Sequence, residues 1–524
     1  YNLSDYNNWK NENDISGWKV KYYKGLGTST SQEAKEYFKQ MKTLTYNITN
    51  KDDEKSMTLA FTKTEADSRK KWILDNISNP KTLDYNVSKV NVKDLINKEL
   101  VLFSIEDNIR SIPSLVDGFK PSQRKVIYSC IKKNLTNEIK VSQLAGYISE
   151  HTSYHHGEAS LQDTIINLAQ NFVGSNNLNL IKNLGQFGSR LQGGKDASSP
   201  RYIFTQMTEN FKNIIHPDDN ELLEYLNDDG YSIEPKYYVP TLPLILINGA
   251  CGIGTGFSTD IPCFNPDDIK NRLLNLVEDE DCEIEKIKPW YKNFKGEINE
   301  VDDNKWTTHG IYKIDKNLVT ITELPIGTWT DDYKVFLDKL ESENTIFHYK
   351  NSSTETDVHF EVSIPLENII EWTENKEFEK KLKLVSHLSA RNMFVFDEKN
   401  NITKMESPEE IIYRFWIVRT EYYQKRKINK LSKLSEERNV LKSKINFVQE
   451  IMNDTIKVFR VKLEDINKQL ESKKYHKVEN SYKYLTDMKI DNFTDEKIKQ
   501  LEKQSSRLQV ELGDLKKKTS VDLW

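Results

Sequence analysis

The chain reads Pro200-Arg201-Tyr202-Ile203-Phe204-Thr205 where a polar loop gives way to a β-favouring segment. The loop before it, residues 185–199, carries several glycines, hydroxyl groups and the cations Arg190 and Lys195, a composition suited to close approach to a sugar-phosphate backbone. A tyrosine hydroxyl has an ordinary pKa of about 10, so it attacks phosphorus only with help from a cation or base. Arg201 is the adjacent cation, and the stretch therefore predicts Tyr202 as a nucleophile.

A packing role is the alternative for Tyr202. The chain has 25 tyrosines, and most tyrosines in proteins are packed or half-buried aromatic side chains. The Arg201-Tyr202 pair alone does not decide between the two roles, so the neighbouring motifs carry the choice.

Length and charge limit the possible classes of protein. A chain of 524 residues is too long for one core, and no stretch is apolar enough to span a membrane. The net charge is 75 − 80 = −5, but residues 110–205 hold 11 Lys/Arg against 6 Asp/Glu, a local +5. This local basic surface is suited to a polyanion.

The four cysteines are far apart, which favours a reducing compartment. Because the chain begins without Met, we expect it to be part of a longer protein.

A second motif runs from Asp117 to Tyr128. Asp117-Gly118 predicts a turn, and Pro121 suits the first position of a helix. The first helical turn is then expected to expose four polar side chains together: Lys120, Gln123, Arg124 and Lys125. Such a cluster at a helix start is suited to gripping phosphate, although an ordinary solvated helix start would look similar.

Two further segments offer candidate residues. His155-His156 could hold a metal, but no second ligand cluster lies at a suitable spacing, so imidazoles placed against phosphate are the favoured interpretation. Residues 237–248 predict a buried strand that ends in a turn with several glycines. That turn presents Ile253 either as an apolar wedge entering a DNA base step or as a buried plug; both remain open.

The N-terminal region contains a weaker signal. Alternation of Trp18, Val20 and Tyr22 predicts a strand, and the turn at Lys24-Gly25-Leu26-Gly27 separates it from a helix that Thr30 or Ser31 caps. The turn is either a phosphate contact through Lys24 or a plain connection.

The C-terminal half changes character twice. Residues 265–385 alternate short strands with helices, which predicts an α/β accessory domain. From Glu409 onward apolar residues recur at heptad spacing, through Met452 and on to Leu470, and again near the end of the chain. This pattern predicts two long helical arms that form a coiled coil, with a polar linker at 471–482. The arms alone would also fit a scaffold protein.

Together these blocks resemble the cleavage core of the eukaryotic type IIA DNA topoisomerases. The resemblance covers nearly all of residues 17–460 and the terminal helices, and it implies a multidomain chain of α/β and all-α parts. The implied domains are the C-terminal part of a TOPRIM domain (1–60), a linker (61–94), a winged-helix domain (95–235), an α/β tower domain (236–385) and a coiled-coil dimer gate (386–524).

The resemblance also implies roles for individual residues. Tyr202 would form a 5′-phosphotyrosyl link to DNA, with Arg201, Arg124 and His156 around the phosphate. The implied DNA-binding residues are Lys24, Lys120, Gln123, Lys125, His155, Arg190, Lys195 and Ile253. The family's Mg²⁺ ligands lie upstream of the Lys24 block, so no metal ligand is expected in this chain, and ATP is expected only in the full-length protein. The implied partners are double-stranded DNA and a second copy, in the nucleus and without a membrane. A DNA-bending dimeric module without cleavage activity remains the alternative.

Overall fold

A computed structural model describes residues 3–21, 23, 27, 29–41, 43–77, 80–85, 87–228, 230–519 and 521–524. Its α-helices are α1 (Leu3–Glu12), α2 (Ser31–Gln40), α3 (Lys51–Phe61), α4 (Ala66–Ile77), α5 (Val92–Leu95), α6 (Val101–Ser111), α7 (Pro121–Lys133), α8 (Val141–His151), α9 (Glu158–Ala169), α10 (Phe211–Ile214), α11 (Leu244–Ile247), α12 (Pro266–Glu278), α13 (Thr330–Ser342), α14 (Leu366–Glu374), α15 (Phe378–Lys381), α16 (Pro408–Met452), α17 (Leu463–Ser472), α18 (Lys483–Thr486) and α19 (Asp495–Lys517). A π-helical turn, Ile96–Leu100, joins α5 to α6.

The strands are short and fall into several small sheets. They are β1 (Thr45–Asn47), β2 (Lys89–Asn91), β3 (Ile139–Lys140), β4 (Phe204–Thr205), β5 (Tyr225–Asp228), β6 (Tyr231–Pro235), β7 (Ala250–Ile253), β8 (Ser258–Ile261), β9 (Glu297–Asp302), β10 (Lys305–His309), β11 (Ile311–Asp315), β12 (Leu318–Glu323), β13 (His348–Asn351), β14 (Phe360–Ser363), β15 (Val385–Ser389), β16 (Met393–Phe396) and β17 (Ile402–Met405). The chain therefore mixes helix and sheet, as the sequence predicts.

The N-terminal region differs from its prediction in one element. The helix α2 begins as expected, because the Thr30 side chain accepts a hydrogen bond from the Glu33 amide and the Glu33 carboxylate accepts one from the Thr30 amide. The strand predicted from Trp18 to Tyr22 is wrong for its described residues, 18–21, which form no strand. Trp18 instead packs edge-on against Trp9, with ring centroids 5.3 Å apart. Alternation alone does not make a strand where no partner strand pairs with it.

The largest apolar cluster, called the first core, is built by α7, α8, α9 and the N-terminal part of α16. Buried side chains recur four residues apart on these helices, such as Leu144 and Ile148 on α8 and Leu161 and Ile165 on α9. This spacing places them on one face of each helix, so the helices pack around a common interior.

The second core lies under the antiparallel sheet whose strand order is β11-β12-β14-β13. On β12, Val319 and Ile321 point inward with Leu337 of α13 packed in the same cluster. The alternation continues to Glu323, which is also buried. The predicted α/β character of residues 265–385 is confirmed.

The segment before the glycine-rich turn is helical where a strand was predicted. Leu244–Ile247 forms the short helix α11, and all four residues are buried. A continuous apolar run of this kind suits a buried helix or a buried strand equally, so the pattern indicated the burial but not the element. The hairpin of β7 and β8 follows at once.

Two long helices form the predicted arms, but the first ends earlier than expected. α16 spans 45 residues and α19 returns antiparallel to it, with Gln449 donating to Glu502 (3.4 Å). The heptad pattern past Met452 does not continue the helix, because the chain turns at Asn453 and folds into a small head. The head has its own core, formed by Phe447, Ile456, Ile466, Leu470, Tyr482 and Leu485. The linker predicted at 471–482 is therefore wrong, since part of it belongs to that core.

A buried ion cluster, called the joint, fixes the base of α16 to the 3₁₀ helix Pro217–Leu222. The Asp219 carboxylate accepts hydrogen bonds from Arg419 (2.7 Å) and from Arg426 (2.7 and 2.6 Å), and all three side chains are buried. Both guanidinium groups lie over the Tyr423 ring. None of the described helices combines the length and apolar content needed to cross a lipid bilayer.

Candidate active site

Tyr202 projects from a loop whose two ends are paired with each other. Leu184 and Phe204 exchange backbone hydrogen bonds of 3.0 and 2.9 Å, which closes residues 185–203 into one loop, called the Tyr202 loop. Ile203 is buried in the first core, and its carbonyl accepts a hydrogen bond from the Val141 amide (3.0 Å). The backbone on the C-terminal side of Tyr202 is therefore fixed against α8.

The Tyr202 side chain itself is exposed, with 65% of its surface accessible. The Arg201 guanidinium lies 4.8 Å from the centroid of the Tyr202 ring. This distance is that of a cation–π contact, so the positive charge is held next to the phenol without covering it. The predicted juxtaposition of Arg201 and Tyr202 is present in the fold.

The N-terminal turn of α7 lies beside the β7–β8 hairpin. Gln123 accepts a hydrogen bond from the Lys120 amide (2.9 Å), which closes the helix start. The Lys120 ammonium lies next to Gly252 and is half-buried, and this burial lowers the pKa of Lys120. Within the described part of the chain, no carboxylate lies within 4.0 Å of this ammonium. Lys120 is thus a partly desolvated cation that lacks an anionic partner.

Two of the cations predicted to be exposed on α7 are engaged inside the protein. Arg124 is buried and donates to both carboxylate oxygens of Asp117, at 2.7 and 3.1 Å. Lys125 lies 2.7 Å from Glu234 and donates to the Thr152 carbonyl at 2.6 Å. The prediction that these side chains share an exposed surface with Lys120 is wrong, because they form ion pairs with the buried carboxylates of Asp117 and Glu234.

Arg190 is likewise withdrawn from the surface. It is buried and its guanidinium donates to Glu323 at 2.5 Å. The DNA-binding role predicted for Arg190 requires an accessible side chain, whereas the structure buries it against Glu323, whose carboxylate satisfies its charge. Glu323 was missed, although the alternation along β12 already places its carboxylate on the inner face, where it requires a cation.

The remaining predicted residues are at the surface. His155 lies 3.2 Å from Asp228, and the exposed His156 ring packs edge-on against Tyr154 with 5.4 Å between centroids. Lys195 is exposed on the Tyr202 loop. Lys24 lies outside the described residues.

Ile253 ends β7 at the tip of the hairpin, and 80% of its surface is accessible. The hairpin is held on α6, where Asn108 donates to the Thr255 carbonyl (2.9 Å) and Thr255 donates to Asp107 (2.8 Å). The buried plug is therefore excluded, and the exposure that a wedge requires is present.

The Tyr202 loop and α7 contact opposite ends of α8. The Tyr202 loop is bonded to the start of α8, through the Ser142 amide and the Pro200 carbonyl (3.1 Å). Lys125 of α7 meets the other end of α8, at Thr152. Eleven helical residues separate these ends, a length of about 16 Å. No three His, Cys, Asp or Glu side chains among the described residues are grouped so as to hold a metal ion.

Comparisons with known proteins agree with this architecture. The family model of the DNA gyrase/topoisomerase IV A-type subunit matches residues 110–524, and that of the C-terminal associated domain of TOPRIM matches residues 1–108. A mitochondrial DNA topoisomerase 2 of Dictyostelium discoideum is 40% identical over all of this chain and 42% of its own length. The DNA topoisomerase 2 of Plasmodium falciparum is 42% identical over 91% of this chain and 34% of its own length.

A solved structure extends the match to three dimensions. The DNA-binding, cleavage and re-ligation domain of Plasmodium falciparum topoisomerase II superposes with a TM-score of 0.84 and 39% identity, covering all of this chain and 75% of that one. The chain spans about two fifths or less of the curated relatives it matches. The predicted kinship with the eukaryotic type II enzymes is confirmed, and the chain belongs to the family of the DNA gyrase/topoisomerase IV A-type subunit.

Proposed function

We propose that this chain is the DNA-binding and cleavage core of a type II DNA topoisomerase, an isomerase that cuts both strands of one duplex, passes a second duplex through and reseals the break. The observation that carries the proposal is Tyr202, an exposed phenol on a loop anchored at both ends, with the Arg201 guanidinium against its ring. Membership of the family supports the same conclusion.

The proposed step is a transesterification at phosphorus. The Tyr202 hydroxyl oxygen bonds to the phosphorus of a DNA phosphodiester as it loses its proton, and the bond from phosphorus to the 3′ oxygen breaks. The 3′ oxygen takes up a proton, which leaves a 3′-hydroxyl and a 5′-phosphotyrosyl link. The reverse reaction reseals the strand. Arg201 would stabilise the negative charge that grows on the phosphate oxygens.

Double-stranded DNA would lie over the exposed and half-buried residues near these elements. The residues that we propose for contact are Lys120, Gln123, His155, His156, Lys195 and Ile253, with Lys24 retained as a prediction. The carboxylate-engaged Arg124, Lys125 and Arg190 are not part of this contact set. Ile253 would enter a base step and bend the duplex.

Magnesium and ATP belong to the proposal for the whole protein. We propose that Mg²⁺ is held by a metal-binding segment of the whole protein and not by the residues that the structure describes, among which no candidate metal cluster occurs. The same holds for ATP hydrolysis, which we assign to the remaining length of the protein that the relatives indicate.

A second copy is part of the proposed assembly. The head carries an apolar cleft of about 490 Å³, and next to it Phe459 and Ile490 are 85% and 88% exposed. Such an apolar surface is typical of a protein interface. We propose that the head forms a dimer gate at the end of a coiled-coil region (386–524). It would follow a TOPRIM remnant (1–60), a linker (61–94), a winged-helix domain (95–235) and a tower domain (236–385).

We propose that the protein acts on chromosomal DNA in the nucleus, although one relative carries the name of a mitochondrial enzyme.

Trapping of covalent protein–DNA adducts tests the function. The chain is incubated with end-labelled DNA and Mg²⁺, with and without a metal-binding TOPRIM segment from a relative, and the reaction is stopped with detergent. We expect an adduct on the 5′ phosphate that Tyr202→Phe abolishes. The substitution should leave the melting temperature unchanged, because the side chain is exposed.

A DNA-bending module without chemistry is the competing function, and the exposed Ile253 wedge favours it. Tight binding and bending of DNA, with no adduct even in the presence of the metal-binding segment, would establish that function instead.

A further inference from the structure

The tip of the Tyr202 loop is held by a segment far away in the sequence. This segment, residues 323–331, connects β12 to α13 in the second core and is called the clasp. Its contacts with the loop are numerous and specific, and none of them was used in the function proposed above.

Hydrogen bonds within the loop and from Gln170 fix the conformation of its tip. The Asp196 carboxylate accepts hydrogen bonds from the Ser189 amide (2.8 Å) and the Ser189 hydroxyl (2.5 Å). The Gln170 side-chain amide of the first core donates to the carbonyls of Phe187 (2.8 Å) and Gly194 (3.2 Å). These hydrogen bonds connect residues 187–196, called the loop tip, to one another and to Gln170.

An ion pair and two backbone bonds attach the loop tip to the clasp. The Arg190 guanidinium donates to Glu323 at 2.5 Å, and both side chains are almost fully buried. The amides of Thr330 and Asp331 donate to the carbonyls of Arg190 (3.3 Å) and Leu191 (2.9 Å). The stability of a buried ion pair depends strongly on its geometry, because a buried charge that loses its partner is destabilising.

An aromatic contact completes the attachment. Gly193 has φ +61°, and a Cβ at this position would overlap the indole ring of Trp329. The indole thus seats directly on the loop backbone, which only glycine permits here.

We propose that Glu323 and Trp329 are positioning residues for Tyr202, acting through the loop tip. Both ends of the loop are closed at Leu184 and Phe204, so with the tip clasped, the segment from Ala197 to Tyr202 has little freedom left. The angle at which the phenol meets a phosphate is then set partly by the second core. This inference rests on the proposed role of Tyr202 as nucleophile.

The test measures adduct formation and loop dynamics in the same variants of the full chain. In Glu323→Gln and Trp329→Ala we expect the rate of adduct formation at saturating DNA to fall by about 100-fold, the loss that a misplacement of about 1 Å produces. The dissociation constant for DNA should change less than about twofold, since neither residue is in the proposed contact set. Trp329→Phe, which keeps an aromatic ring on Gly193, should restore most of the rate.

Matched controls separate positioning from general stability. Trp372→Phe alters a buried tryptophan of the same core away from the clasp, and Glu367→Gln removes an exposed carboxylate on α14. We expect Trp372→Phe to lower the melting temperature without slowing adduct formation, and Glu367→Gln to change neither. A rate in Trp372→Phe as low as that in Trp329→Ala would overturn the proposal.

Hydrogen exchange supplies a readout that does not depend on chemistry. Amides of residues 189–196 should exchange faster in Glu323→Gln than in the unmodified chain. If the unmodified chain forms no adduct even with the metal-binding TOPRIM segment present, the proposed function fails, while faster exchange would still support the clasp. Unchanged exchange in both clasp variants contradicts the positioning role whatever the adduct result.

Discussion

Lys120 is a partly desolvated cation with no carboxylate within 4.0 Å among the described residues, so its surroundings favour an external anion. Burial lowers the pKa of Lys120, so the folded chain holds this proton less readily than the unfolded chain does. The residue therefore reduces stability at neutral pH, and the deficit disappears as the pH rises through the lowered pKa toward the ordinary value. A DNA phosphate beside the ammonium would remove the same deficit.

Replacement of Lys120 by glutamine tests this account. We expect DNA affinity to weaken equally for all sequences, and the slope of log affinity against log salt to become shallower by about one. The free energy of unfolding should stay equal or rise. Lys334→Gln, which changes an exposed lysine on α13, is the control. An unchanged salt slope in Lys120→Gln would exclude a phosphate contact.

The cysteines should differ in reactivity according to burial. Burial raises the pKa of Cys130 and Cys263 to about 12, whereas Cys251 is exposed on β7. At pH 8 the two buried thiols are thiolates in only about one molecule in ten thousand. We expect iodoacetamide at pH 8 to label Cys251 and to spare Cys130 and Cys263 until the chain is denatured, as read by mass spectrometry. Equal labelling of Cys130 and Cys251 in the folded chain would be inconsistent with this fold.

Among the elements, α16 depends most on the joint at Asp219. Asp219→Asn leaves two buried arginines without their counter-charge, and the expected loss is about 3–5 kcal/mol of unfolding free energy, measured in urea. The neighbouring Asp218 pairs with Lys430 at the surface, so Asp218→Asn should cost at most about 1 kcal/mol. Similar losses in the two variants would mean that the joint does not hold α16.

The β7–β8 hairpin depends on close approach to α6. A Cβ at Gly252 would overlap the Ser111 carbonyl oxygen, so Gly252→Ala should lift the hairpin and cost about 1–3 kcal/mol. Gly513 lies in α19 with open space around it, so Gly513→Ala should instead stabilise the chain by up to about 1 kcal/mol. Urea denaturation of both variants decides the matter, and a neutral Gly252→Ala would show that the contact is not tight.

Local signals predicted where elements begin better than where they end. Pro121 starts α7 and Thr30 caps α2, because each signal acts within four residues of the helix start. The end of α16 at Met452 was missed, because apolar spacing continues past it into the head core. A heptad pattern indicates which side chains are buried, but not what they are buried against. In the head they pack into a globular core and do not extend α16 as a coiled coil.

At the scale of the molecule, the proposed dimer makes a testable prediction. Phe459→Asp and Ile490→Asp place a charge in the exposed apolar surface of the head, so we expect sedimentation equilibrium to show a shift toward the monomer. Val335→Asp changes an exposed apolar residue on α13, away from the head, and should leave the assembly intact. Equal dimerisation of all three variants would place the interface elsewhere.

Contacts between distant segments explain what the sequence could not indicate about the site. The adjacency of Arg201 and Tyr202 is local, so it can be read directly from the sequence. The fate of the surrounding cations was not local, because Arg190 meets Glu323 and Lys125 meets Glu234 only after the chain has folded. A cation-rich segment therefore predicts a charged neighbourhood, but the tertiary fold decides which charges face solvent.

The arm α16 also acts as a mechanical lever. From Arg419 in the joint to Met452 the helix measures about 50 Å, so a tilt of about 10° at the joint would carry the head through about 9 Å. Because the head has its own core, this travel requires no unfolding at the far end. A small rotation at the joint would thereby become a displacement of several ångströms at the head.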